Sequence, residues 1–138
     1  MVELACEGDA VLKASRLEDH PGKSYSIDTI ERAKQLFEGS ELFFLIGADA
    51  FHEIETWHRW ETVIEAVDFI VVTRPGHVYR TPKGARVYRL DSLALMMSSS
   101  EIRHGLGEGL GGEAELPPSV GKYIRERGLY GTAPPGVT

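Results

Sequence analysis

A chain of 138 residues, 42% hydrophobic and 26% charged, suits one soluble domain with a real core. The formal net charge of -6 argues against a large nucleic-acid footprint, which needs clustered Lys and Arg, yet a small anionic substrate needs only a few local cations. Cys6 is the only cysteine, which excludes an intramolecular disulfide and a cysteine-based zinc site. No stretch reaches the roughly 18 apolar residues of a membrane span, and residues 1–10 lack a basic-then-apolar leader pattern, so the expected location is the cytoplasm. His20, His52, His58, His77 and His104 show no H-x-x-x-H or H-E-x-x-H spacing, and no metal held by the protein is expected.

In chain order, Val2, Leu4 and Ala5 before Gly8 read as the last turns of a helix with its closing glycine and no N-cap. Residues 11–14 read as a short strand and 16–23 as a polar loop with Pro21-Gly22 as its turn. Ser26 is the expected N-cap of a helix over 27–38, with Ile30, Ala33, Leu36 and Phe37 on one face and Gly39 as the stop. The free amides and positive dipole end at its start suit an anion or a polar ligand head.

The run 42–46 is apolar throughout and too short for a helix, so it predicts a strand buried on both faces of a parallel sheet. Ligands of such sheets lie beyond the carboxyl ends of the strands, where Gly47 and Asp49 follow. Gly47 lacks a Cβ and lets a ligand approach the backbone. Asp49 has two readings, the N-cap of a short helix over 50–54 and a carboxylate accepting from ribose hydroxyls. A helix over 60–66 and a second buried strand over 69–72 come next, the latter running into Thr73-Arg74-Pro75-Gly76. Arg74 could fork onto phosphate there or be a surface arginine at a turn. A loop at 80–83 and an alternating edge strand at 86–90 complete a strand, helix, strand order that predicts an α/β fold with a parallel sheet.

Ser98 and Glu101 form a capping-box pattern opening a helix toward Leu106. Ser99, Ser100 and Arg103 add hydroxyls and a forked cation at the same helix start, a combination suited to polyphosphate. The run 107–112 matches G-x-G-x-x-G, but no strand precedes it and Glu108, Glu113 and Glu115 would repel a pyrophosphate, so it is read as a connection. Pro117-Pro118 open a last helix packed through Val120, Tyr123 and Ile124. Residues 132–138 are an expected flexible tail.

Ser24-Tyr25-Ser26-Ile27-Asp28-Thr29, Leu45-Ile46-Gly47-Ala48-Asp49, Trp57, Arg74-Pro75-Gly76, Ser98-Ser99-Ser100-Glu101-Ile102-Arg103, and Tyr123-Ile124 with Gly128-Leu129-Tyr130, in this order and spacing, resemble bacterial nicotinate-nucleotide adenylyltransferase of the nucleotidyltransferase superfamily. The likeness covers nearly the whole chain. It implies a Rossmann-like parallel sheet flanked by helices, and adenylyl transfer from ATP to nicotinate mononucleotide, giving deamido-NAD and pyrophosphate in NAD biosynthesis. Mg2+ would come with the ATP phosphates. The implied partners are ATP and nicotinate mononucleotide, with no nucleic acid or membrane and a homo-oligomer open. By position, Ser24, Tyr25, Ser26, Trp57 and His58 would bind the pyridine mononucleotide, with Ser26 and the His58 backbone on the carboxylate and Trp57 stacked on the ring. Gly47 and Asp49 would lie along the adenosine side, and Ser98, Ser99, Arg103 and Arg74 would hold phosphates. Ser26 stands where the family usually has Thr, and Met97-Ser98-Ser99-Ser100 where Ile-Ser-Ser-Thr is usual, changes that keep hydroxyl chemistry.

The family opens with a strand and a Gly-Gly-Thr-Phe-Asp-Pro-x-His-x-Gly-His segment whose histidines stabilise the transition state, and this sequence contains no such segment. The expectation is therefore a nucleotidyltransferase domain over 1–131, truncated at its N-terminus, with catalytic residues unknown. The alternative is a non-catalytic relative that binds a pyridine mononucleotide. Two strands central to the family's sheet would then be missing, and the 11–14 and 42–46 strands are expected to pair directly or to borrow an edge from another copy.

Overall fold

The computed structural model describes residues 1–73, 76, 78–91, 98–112 and 114–132. They form two compact units, one of Arg16–Ala94 and one of Met1–Ser15 with Leu95–Thr138.

The first unit is an α/β layer. Helix α2 (Ser26–Leu36) precedes strand β1 (Phe43–Gly47), followed by α3 (Ala48–His52), a 3-10 turn (Ile54–Thr56), α4 (Trp60–Ala66), β2 (Asp68–Thr73) and β3 (Val87–Asp91). The three strands are parallel in the order β1-β2-β3, with Leu45 opposite Ile70 and Ile70 opposite Tyr88. One face of the sheet, Ile46, Phe69 and Val71, is buried with Ile27, Ile30, Phe51, Ile54 and Val63 from the helices. This apolar face accounts for α2 and α4 being helical: each lays its branched residues on the strands.

The opposite face is uncovered at its edges. Phe43, Leu45, Tyr88 and Leu90 are exposed, Leu45 by 64%, and Phe43 meets Tyr88 edge-on at 5.8 Å between centroids. The expectation that β1 is buried on both faces therefore fails: its residues alternate, because the helices of this unit cover one side of the sheet. Among the described residues no strand pairs with the outer edge of β1.

The expected strand at 11–14 is absent, with a local cause. Asp9 Oδ1 accepts from the amides of Val11 at 2.7 Å and Leu12 at 3.2 Å, so an aspartate turn takes the donors that a ladder would need. The start of α2 also differs from expectation by one residue. Tyr25 is its N-cap, its carbonyl accepting from the amides of Asp28 and Thr29, and Ser26 is the first helical residue with no side-chain cap before it. The helix ends at Leu36 because Phe37 leaves helical geometry, and Gly39 turns the chain at φ +81.

The second unit is helical: α1 (Val2–Ala5), α5 (Ser99–Gly107), α6 (Pro118–Glu126) and a 3-10 turn (Leu129–Gly131). Leu106, Val120 and Ile124 form its small core, against which Leu4, Ile102 and Leu129 pack. Ser119 Oγ donates to the Leu4 carbonyl at 2.9 Å and ties α1 to α6. The glycine-rich run begins inside α5 and follows no strand, and its role is packing. A Cβ on Gly107 would lie 2.6 Å from the Tyr130 carbonyl oxygen, and one on Gly105 would lie 2.9 Å from that of Gly111. Backbone meets backbone here, so only glycine fits.

Candidate functional site

Each unit carries its own group of sequence-predicted residues. In the α/β unit, Gly47 ends β1 and is the N-cap of α3. This corrects the N-cap reading of Asp49, which sits in the first turn of α3 instead. The backbone at Gly47 has an ordinary φ of -72, and a Cβ built there meets nothing within 4 Å. Neither strain nor packing inside this unit demands a glycine, and the position lies open beyond the carboxyl end of a parallel strand. Asp49 is exposed and lines a cleft of ≈ 290 Å³ with His52, Glu53 and Val78. Arg74 lies outside the described residues.

Tyr25, at the start of α2, and His58, just ahead of α4, meet. Their ring centroids are 4.4 Å apart with the planes tilted by 35°. Tyr25 belongs to the N-cap of α2, while His58 follows Trp57, the residue that closes the 3-10 turn. The corner is sharpened by Arg59, whose left-handed backbone (φ 53, ψ 43) redirects the chain into α4. A non-glycine residue in that region costs energy and is retained where surrounding contacts over-determine it. Arg59 Nη1 is 3.5 Å from Glu31 Oε1 on α2, one such contact.

Trp57 is half-buried. Its ring stands edge-on to Phe44 at 5.9 Å and packs against the unit's core, so part of this side chain is structural. Ser26, at the first turn of α2, is half-buried, and Ser24 is exposed. The loop before them holds a residue that the sequence reading passed over. Glu18 Oε1 accepts from Thr29 Oγ1 at 2.7 Å, and hydrogen bonds from Thr29 and then Ser24 hold its carboxyl below the usual glutamate range. No local spacing announces this contact, because Glu18 and Thr29 lie 11 residues apart.

In the helical unit the capping box forms as its pattern predicts. Ser98 Oγ accepts from the Glu101 amide at 3.2 Å, and Glu101 Oε2 accepts from the Ser98 amide at 2.7 Å. The Ser98 amide, and then its hydroxyl, keep the Glu101 carboxyl below its ordinary range. Arg103 leans back over the first turn, its Nη2 at 3.4 Å from Ser100 Oγ. Ser99, Ser100 and Arg103 are all exposed, so two hydroxyls and a guanidinium line one helix start. Ser98 is exposed as well, with its oxygen engaged in the cap.

A parallel sheet flanked by helices, open at the carboxyl end of β1, defines an α/β nucleotidyltransferase-like fold. Among solved structures, the Plasmodium falciparum nicotinic acid mononucleotide adenylyltransferase complexed with NaAD matches with a TM-score of 0.66 at 22% identity, over 85% of this chain and 62% of that chain. No protein-family model matches the sequence. Individual relatives do: the probable nicotinate-nucleotide adenylyltransferase of Solibacter usitatus is 53% identical over 131 residues, 94% of this chain and 69% of the relative. That of Thermus thermophilus is 39% identical over 131 residues, 94% of this chain and 70% of the relative. The chain belongs to the nicotinate-nucleotide adenylyltransferase family, nucleotide-binding transferases of NAD biosynthesis. No helix among the described residues is long and apolar enough to cross a membrane.

Proposed function

We propose that this chain serves adenylyl transfer from ATP to nicotinate mononucleotide, with the pyridine mononucleotide held by Ser24, Tyr25, Ser26, Trp57 and His58. The observation that carries this reading is the Tyr25–His58 contact, because it joins two stretches that sequence resemblance assigns to one substrate. Ser26 and the backbone at His58 would receive the nicotinate carboxylate, and the accessible part of Trp57 would stack on the ring. Gly47 and Asp49 would follow the adenosine side. Ser98, Ser99 and Arg103, with Arg74, would hold the ATP phosphates through hydroxyl and bidentate guanidinium donors. The solved P. falciparum relatives are complexes with NaAD and with APC, which supports a pyridine and an adenine nucleotide as ligands.

In the reaction, a phosphate oxygen of the mononucleotide attacks the α-phosphorus of ATP, and the bond to the β-phosphate oxygen breaks, releasing pyrophosphate with the electron pair. The residues named here contribute position and fixed positive charge, and none forms a covalent bond to substrate. Among the described residues no group of three or more His, Cys, Asp or Glu side chains is placed to hold a metal ion. Mg2+ would arrive on the ATP phosphates and neutralise part of their charge, while the hydroxyls and guanidinium at α5 would hold the phosphates themselves. The cytoplasm is the proposed location.

The test is calorimetric titration of wild type and Trp57→Ala with each substrate. The variant is expected to lose about tenfold in nicotinate mononucleotide affinity, the scale of one lost aromatic stack, with ATP affinity within about twofold. Equal losses for both ligands, or a lower Tm with both affinities intact, would show that Trp57 acts only as core.

A further inference from the structure

The loop ahead of α2 has no regular secondary structure, yet two neighbouring side chains of that helix grip it. Thr29 Oγ1 donates to Glu18 at 2.7 Å, and Arg32 Nη1 donates to the Leu17 carbonyl at 2.9 Å. Positions 29 and 32 are one helical step of three apart, so both tethers rise from one face of α2. Ser24 supplies a third hold by hydrogen bonding the same Glu18 carboxylate. Glu18 thus receives one hydroxyl from just before Tyr25 and one from a turn after it. The Thr29 amide in turn donates to the Tyr25 carbonyl at 3.2 Å. Tyr25 lies between these holds and stacks on His58. The burial of Ile27 and Ile30 already anchors the helix itself, so the carboxylate bracket governs the segment before it.

We propose that Glu18 is a positioning residue for the pyridine-mononucleotide end of the site: gripped by Ser24 and Thr29, its carboxylate fixes the Ser24, Tyr25, Ser26 stretch and sets the Tyr25 ring against His58. This rests on the reading that these residues receive the pyridine mononucleotide. A carboxylate that only steadied a surface loop would change melting behaviour and leave the two substrates alike.

The experiment compares wild type, Glu18→Ala and Glu18→Gln by calorimetry with nicotinate mononucleotide and with ATP, and by NMR of the His58 ring protons, which sense the Tyr25 ring current. Glu18→Ala is expected to weaken nicotinate mononucleotide about tenfold, the scale of a lost hydrogen bond to a charged group, with ATP within about twofold. Its His58 signals should move toward those of Tyr25→Leu. Glu18→Gln keeps an acceptor oxygen for both hydroxyls and should restore most of the affinity and the His58 signals. Unchanged nicotinate mononucleotide affinity in Glu18→Ala, equal losses for both substrates, or unmoved His58 signals would overturn the proposal. If wild type itself fails to bind nicotinate mononucleotide, the functional reading falls, and the His58 signals alone decide whether Glu18 sets Tyr25.

Discussion

Helices α2 and α5 each begin beside a glutamate held by hydroxyl donors, and they achieve it in opposite ways. At α5 the partner is local: Glu101 and Ser98 close a box three residues wide, and Glu101 occupies the Ser98 amide. At α2 the partner is remote: Glu18 reaches Thr29 across 11 residues, while the helix itself opens with no side-chain cap. The far ends differ too, since α5 stops in a backbone-to-backbone contact at Gly107, whereas α2 stops at Leu36, where Phe37 leaves helical geometry. A local box makes a helix start nearly independent of its surroundings. A remote bracket makes it a reporter of tertiary order, suited to shaping a site that has to be set to a ligand.

The largest expected effect breaks the far end of α5. In Gly107→Ala the new methyl would sit 2.6 Å from the Tyr130 carbonyl oxygen, an overlap with backbone that no rotamer relieves. Overpacking of this kind costs about 2 kcal/mol, and thermal unfolding should show it in the helical unit while the Tyr25–His58 signals of the other unit stay put. A variant as stable as wild type would mean that the helix and the 129–131 turn can separate without loss.

Arg103→Lys asks whether the start of α5 serves phosphate beyond capping itself. The ammonium keeps the charge but cannot fork onto two phosphate oxygens, so ATP affinity and turnover should fall by about tenfold with Tm unchanged. Retained ATP affinity and turnover would remove Arg103 from the site and leave α5 as a capped structural helix.

The smallest effect is the pH dependence that the two glutamates share. Both carboxyls are held below their ordinary range, Glu101 through Ser98 and Glu18 through Thr29 and Ser24. A depressed carboxyl contributes stability that is present above its unfolded pKa and lost as the pH falls through its folded pKa. Both contributions should therefore be full at neutral pH and fade in acid. Both groups are exposed, so the shifts in Tm are small. The Tm difference between wild type and Glu101→Gln should shrink toward zero on acidification, and a difference that stays constant with pH would show that the charge of Glu101 adds nothing to the cap.

What was legible in the sequence is what local bonding decides. The capping box at Ser98 and Glu101, the span of α4, the proline-opened α6, and the parallel order of the strands each follow from signals within a few residues or from one apolar pattern. Tertiary context decided the rest. An apolar run such as 42–46 does not say which of its faces a helix will cover, and β1 came out alternating because only one side of the sheet is packed. Val11 and Leu12 have strand-like side chains, yet Asp9 takes their amides first. The meeting of Tyr25 with His58, the left-handed Arg59 between Trp57 and α4, and the reach of Glu18 to Thr29 join residues with no shared period or spacing. Such contacts exist only after the chain has closed on itself. Sequence alone therefore named most of the candidate site's side chains, while the folded chain determined which of them touch and what holds them there.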